Sequence, residues 1–400
     1  MIESWGIAVA VQQREFEHIV IGLGALGSAA CYWLSRRAGA DVLGLEQFAL
    51  GHERGASEDH SRILRLSYHT KAYVELAREA YDAWRVVEQE SGEALMLRTG
   101  GLDLGPRESA IPMDDYTGSL DAAGVPYEHL DADGIMRRWP QFTLTDDIHG
   151  IFQVDSGLLP ASRCNETHRS LARERGATLL GEARVSAITP VGDGIEVVAG
   201  GTTYRGRTLA IAADAWTNEL LALLGQRTLP LQTTQEQVTY FGSSRVGDFA
   251  PERFPVWIWL DDPCFYGLPA YGLAATKVAQ DVGGREVTTD SRTFDPDEAT
   301  LGRVTRFIQR YLPTAAGPLV ATKTCLYTLT PDRDFVIDTL PGQANISVAL
   351  GAGHAFKFAS LLGRILSELA ASGTSRSDIK AFRFDRPILG LADPPRNYMV

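Results

Sequence analysis

The order of apolar and polar positions changes period within the first forty residues. His18–Ile21 is a short β-branched run that predicts a buried strand, and Ala25–Arg37 follows as a helical stretch with small residues on its early turns. Asp41–Leu45 predicts a second strand. Further on, Ala177–Val198 alternates apolar with polar residues, punctuated by Gly181, Gly192 and Gly194 and closed by Gly200, as hairpin strands do. Thr208–Ala212 is a short apolar run suited to a buried parallel strand. Val256–Leu260 and Phe265–Leu268 predict strands, and Trp257 and Trp259, two apart, would share one face. Leu361, Leu362, Ile365, Leu366 and Leu369 give Phe358–Ala371 the stripe of an amphipathic helix.

Composition narrows the classes. A chain of 400 residues corresponds to two or three domains at about 100–200 residues each. With 44% apolar and 22% charged residues it is neither disordered nor fibrous. The net charge is −12 and no Lys/Arg block occurs, which argues against nucleic acid or an anionic membrane as partner. Four scattered cysteines without a C-x-x-C pair exclude a disulfide framework and a zinc site. His18–Ser35 carries no charge over 18 residues, but Gly22, Gly24 and Gly27 divide it into strand and helix, so it does not predict a membrane span. The early Glu3 and the lack of a basic n-region argue against a signal peptide, and the expected location is cytoplasmic.

The chemistry starts at Gly22-Leu-Gly24-Ala-Leu-Gly27. After a strand and before a helix, the first glycine permits the turn and the second lets the backbone approach a pyrophosphate. The third lets helix and strand pack closely, and the helix N-terminus aims free N–H groups at the phosphates. Glu46, 19 positions after Gly27, can accept hydrogen bonds from ribose hydroxyls. The bland alternative is a glycine-rich packing turn with no ligand. Where a nicotinamide-type domain would continue with another strand and helix, a polar loop follows, leading to Arg62 and Arg65. Those two lie on neighbouring positions if the segment is helical and diverge if it is extended.

Several separated motifs then carry a resemblance. They are Gly22–Gly27 with Glu46, Ser61–Arg65 (SRILR), Arg138–Pro140 (RWP), Ser156–Leu158, Ala215–Trp216, Thr324–Asp338 (TCLYTLTPDRDFVID) and Gly351–Phe358 (GAGHAFKF). Over about residues 17–390 the chain resembles the monomeric sarcosine oxidase and N-methyltryptophan oxidase family, a branch of the glycine/D-amino-acid oxidase flavoproteins. The resemblance implies an α/β (α+β) chain: a glutathione-reductase-type Rossmann FAD domain plus a substrate domain on a mainly antiparallel sheet. The segments 1–96, 153–230 and 319–400 would form the first, and 97–152 and 231–318 the second.

It also implies roles. Cys325 would bond covalently to the 8α-methyl of FAD, with neighbouring basic groups lowering its pKa; otherwise it is a buried structural cysteine, as Cys31, Cys164 and Cys264 are taken to be. Arg65 and Lys357 would hold the substrate carboxylate, and Arg62 would tune the flavin. Lys277 would speed reaction with O2 by stabilising superoxide-like charge; a solvated strand lysine is the alternative. Tyr266 and Tyr327 would line the substrate cavity, and His354 would be a catalytic flavin-site residue rather than a base. Gly22, Gly24, Gly27, Glu46, Ser61, Arg62, Val185, Gly351, Gly353 and Lys357 would contact the cofactor.

Three positions depart from the family pattern. Asp281 and Glu58 replace histidines, with His60 two positions after Glu58, and Asp214 replaces the glycine of a G-A-W motif. Asp281 would bring negative charge toward an anionic substrate. The implied activity is that of a monomeric FAD oxidase of N-methyl or cyclic α-amino acids, giving an imine and H2O2, without a metal. The rivals are a flavin dehydrogenase or demethylase passing electrons to a carrier, an NAD oxidoreductase sharing only Gly22–Gly27, and a non-catalytic FAD-binding subunit.

Overall fold

The computed structural model describes residues 14–397. Arg14–Ile21 is the centre of an eight-stranded sheet, with Val42–Leu45 and Thr202–Ile211 parallel on either side. Thr178–Leu180 and Gln343–Leu350 extend that parallel core. The hairpins Val185–Val191/Gly194–Ala199 and Val336–Leu340/Gln343–Leu350 add antiparallel edges. Every residue of Val42–Leu45 is buried, as continuous apolar runs in parallel strands require.

One face of this sheet is covered by the helices Ala25–Ala38, Ala161–Glu174 and Ala359–Ser372. The first and last cross closely because of Gly363, where an added Cβ would lie 2.4 Å from the Ala29 carbonyl carbon. The first and last of these helices match the sequence expectations to within a residue, Ala161–Glu174 was not anticipated, and the first strand begins earlier, at Arg14.

A nine-stranded sheet stands beside it, built from segments between Gly101 and Leu329. Among the described residues its strands pair antiparallel, except Val256–Trp259 with Gly101–Pro106. Trp257 and Trp259 do share a face: both rings meet Phe307 of the helix Glu298–Tyr311, at centroid distances of 5.7 and 5.3 Å. The expected boundary at residue 319 needs correction, because Leu319–Leu329 pairs along its length with Gln232–Gly242 inside this second sheet. The strand that carries Cys325 therefore belongs to the antiparallel sheet. Arg62–Leu64, Leu97–Arg98 and Gly157–Leu159 form a small third sheet. Among the described residues, no helix is long and apolar enough to cross a membrane.

Candidate active site

A cavity of about 1000 Å³ runs from the end of the first strand, at Gly22, under the antiparallel sheet to Lys357. At its first end Gly22 takes φ +90°, and a Cβ there would sit 2.6 Å from the Ala212 carbonyl oxygen. A Cβ on Gly27 would fall 1.7 Å from the Gly22 carbonyl oxygen. Gly22 and Gly24 line the cavity, whereas Gly27 packs behind them and lets the helix approach the strand. The residue before this helix, Gly24, has no side chain to cap it, and Ser57 Oγ accepts from the Ala25 N–H at 2.9 Å, so an anion at this N-terminus would meet the N–H groups of the first turn beside that hydroxyl.

Glu46 closes the second strand. Its carboxylate accepts from the Leu23 N–H at 2.9 Å and the Phe48 N–H at 3.1 Å, with His52 at 3.3 Å. Burial opposes its ionisation, but these partners outweigh it and hold the group below the ordinary range. A carboxylate oxygen has lone pairs beyond those used here, so Glu46 can still accept from ribose hydroxyls. Val185 lines the same stretch of wall. An FAD molecule fits this end: glycines that a Cβ would fill, a helix start with Gly24 at its cap and the Ser57 hydroxyl beside it, and an ionised acceptor.

The other end is lined by charged and aromatic side chains, among them Arg62, Arg65, Tyr266, Lys277, Cys325, Tyr327, Gly351, Gly353, His354 and Lys357. Residues Arg62–Leu64 are a strand, so the two arginines diverge. Arg62 donates to Asp59 and to the Ala56 carbonyl. Arg65 instead stacks its guanidinium 4.4 Å over the Tyr68 ring, and its Nη1 is buried with no hydrogen-bond partner. Lys357 Nζ donates to the Tyr68 hydroxyl at 2.8 Å and the His354 carbonyl at 3.0 Å. Burial pushes the Lys357 ammonium well below its usual value, Arg65 pushes the same way, and Asp281 opposes. Two buried cations therefore share a wall, and a carboxylate would satisfy both.

His354 has a supporting place. Its Nε2 lies 2.9 Å from the Arg333 carbonyl, which assigns the proton to that nitrogen, and its ring stacks on Phe335 at 4.6 Å. Burial, with Arg333 and Lys357, holds the imidazole far below its usual pKa and neutral. Ser61 does not line the cavity; its side chain is buried and its carbonyl accepts from Lys277 Nζ at 2.7 Å. Cys325 also departs from expectation. Burial pushes its thiol up to about 11, outweighing Arg62 and Lys277, which act in the lowering direction.

The three departures resolve differently. Asp281 is paired with Arg333 at 2.9 Å, so its charge is largely cancelled. Glu58 accepts from Asn165 at 3.0 Å and lies 3.5 Å from Arg169, while His60 meets Tyr240 edge-on. Asp214 occupies a left-handed backbone position at φ 44°, where glycine is the natural residue and a short polar side chain is tolerated. The sequence reading missed Arg333, Asp59, Tyr68 and Tyr240. Asp59 is three residues before Arg62, and that spacing was the one available hint.

A cavity with a phosphate-receptive helix start at one end and buried cations at the other defines a dinucleotide-dependent oxidoreductase. Residues 17–369 match the family model described as FAD dependent oxidoreductase, and the chain belongs to that family. It is 35% identical over 382 residues to a monomeric sarcosine oxidase of Streptomyces avermitilis, covering 92% of this chain and 96% of that one. An N-methyl-L-tryptophan oxidase of Escherichia coli is 30% identical over 380 residues, covering 93% and 99%. Among solved structures, NikD, an unusual amino acid oxidase essential for nikkomycin biosynthesis, superposes with a TM-score of 0.83 at 26% identity, covering 92% and 97%.

Proposed function

We propose that this chain is an FAD-dependent oxidase of secondary α-amino acids, N-methyl or cyclic, working as a monomer with O2 as its second substrate. The observation that carries the reading is the pair of buried cations, Arg65 and Lys357, on one wall of the cavity, with Arg65 Nη1 lacking a partner. When bound, FAD would supply the redox chemistry, the two-electron oxidation of the C–N bond to an imine that water hydrolyses, with O2 as the electron acceptor and H2O2 as its product.

The chain's own residues bind and orient. Arg65 offers a planar fork and Lys357 a point charge to the α-carboxylate, which places the adjoining C–N bond in the cavity. Tyr266 and Tyr327 form apolar walls there, both phenols kept neutral by burial. Arg62, Gly351 and Gly353 border the same space and favour negative charge within it. Lys277, protonated through its ion pair with Asp59, supplies a cation for the reduction of O2. Cys325 lines the cavity on the antiparallel sheet and tethers the cofactor through a thioether. No two cysteines pair among the four, which supports a cytoplasmic setting.

Anaerobic titration with a panel of N-methyl and cyclic amino acids tests the reading. The flavin absorbance should bleach with at least one of them and return on admitting air, with peroxide formed. Bleaching by none of the panel overturns it; bleaching without peroxide points to an electron carrier in place of O2.

A further inference from the structure

We propose that Asp59 is a positioning residue that fixes the Lys277 ammonium, keeping it charged and presenting its remaining N–H to the cavity. The inference rests on the reading above for the purpose of the cation, and on geometry for the pair itself. Lys277 sits on the strand Ala275–Gln280 directly opposite Tyr240, and its side chain is 2% exposed although it borders the cavity. Its Nζ donates to Asp59 Oδ2 at 2.5 Å and to the Ser61 carbonyl at 2.7 Å. An ammonium has three donors, so one remains.

Asp59 is built for this task. Oδ2 takes Lys277 and, at 3.0 Å, Arg62 Nη1. Oδ1 takes the Tyr240 hydroxyl at 2.6 Å and the His60 N–H at 2.8 Å. Four donors fill the four lone-pair sites of a carboxylate. The backbone is anchored as well, because the Asp59 carbonyl accepts from the Ser162 N–H at 3.1 Å and its hydroxyl at 3.0 Å. The carboxylate cannot swing away from the lysine without breaking that set.

The other charged and titratable neighbours do not replace it. From the loop and the Arg62–Leu64 strand come His60 and Arg62, and from the facing strands Tyr240, Tyr266, Lys323 and Cys325. Among these, Arg62 and Lys323 repel an ammonium, and the thiol and phenols are neutral. Burial alone pushes Lys277 down and Asp59 pulls it back, leaving it at about 8. Burial opposes ionisation of Asp59 too, but Lys277 and Arg62 outweigh it and keep the carboxyl well below its usual range. Removing the carboxylate would therefore take away the counter-ion that holds the proton on Lys277.

Sulfite binding to the oxidised holoenzyme tests this without turnover. Sulfite adds to flavin as an anion and bleaches it, and a nearby cation tightens the adduct. Wild type and variants are titrated across pH and compared at each pH, which cancels the ionisation of sulfite itself. Wild type should show a weakening step near pH 8 that Lys277→Met lacks. Asp59→Asn should move the step down by at least about one pH unit, a tenfold loss of proton affinity, while Asp59→Glu keeps it near wild type.

Should Asp59→Asn fail to fold, Tyr240→Phe serves instead. It keeps the ion pair but frees Asp59 of one donor, so the step should rise. An unmoved step with tighter sulfite binding at every pH overturns the proposal, since Asp59 would then act only as a local negative charge. Identical profiles for wild type and Lys277→Met overturn it also. Because no amine is involved, the result stands apart from whether the chain oxidises secondary amino acids.

Discussion

Asp281 grips Arg333 with both carboxylate oxygens, Oδ2 to Nη1 at 2.9 Å and Oδ1 to Nη2 at 3.3 Å. The Arg333 side chain is 1% exposed and that of Asp281 21%, so a buried arginine meets a partly buried carboxylate at the cavity wall. Asp281→Asn leaves the buried arginine without its carboxylate, and the expected loss of stability is about 3 kcal/mol, read as a lowered Tm. The same change adds positive potential to the cavity, so simple carboxylates should bind more tightly by spectral titration. A variant that unfolds normally and binds carboxylates no better would mean that the pair does not act on the cavity.

Glu236 gives a pH-dependent test of packing. The carboxyl is 5% exposed, accepts from Thr234 Oγ1 at 2.6 Å and the Gly284 N–H at 3.0 Å, and burial pushes it up to about 7. The folded chain thus holds this proton more tightly than the unfolded chain does. Its contribution to stability is full below the unfolded value of 4.5 and falls as pH rises toward 7. Glu236→Gln should be no more stable than wild type at acidic pH but more stable above neutrality, by on the order of 2–3 kcal/mol. Denaturant unfolding at two pH values decides it.

Local features were legible in the sequence, and cross-chain pairings were not. Gly22–Gly27 and Glu46 could be read because a turn, a helix start and the next strand are set by neighbours. Arg333 could not: its partner is 52 positions away, and only the folded sheets bring them together. Lys277 and Asp59, 218 apart, meet because the register sets Lys277 opposite Tyr240, whose hydroxyl holds the same carboxylate. The thiol of Cys325 was misjudged for a related reason. The resemblance led to an expectation of nearby basic groups, and Arg62 and Lys277 do act in the lowering direction, but the depth of burial was not legible, and burial dominates.

That raised thiol shapes the next prediction. Flavin should stay with the wild-type polypeptide on acid precipitation, and Cys325→Ser should release it to the supernatant. With the thiol near 11, thiolate is scarce at neutral pH and its fraction grows about tenfold per pH unit. Apoprotein mixed with FAD should therefore acquire bound flavin faster at about pH 9 than at about pH 7. Fully extractable flavin from wild type would remove Cys325 from the covalent role and return it to a packing role.

Arg65 and Lys357 carry the assignment of the substrate as a carboxylate. Arg65 has a buried Nη1 without a partner, and Lys357 Nζ has used two of three donors, on Tyr68 and on the His354 carbonyl. A bound carboxylate would offset both charges and oppose the burial that pushes the Lys357 pKa down. Arg65→Ala should lower kcat/KM by about 2–5 kcal/mol in transition-state terms, the range for truncating one member of a desolvated charge pair. Lys357→Met should lower it less, because a point charge gives no bidentate geometry. Ligands separate this from structural damage. Carboxylates should compete with substrate and perturb the flavin spectrum, and the matching amides should bind poorly. If the amide of a good substrate is oxidised as fast as the acid, neither residue clamps a carboxylate, and the two cations serve the cofactor instead.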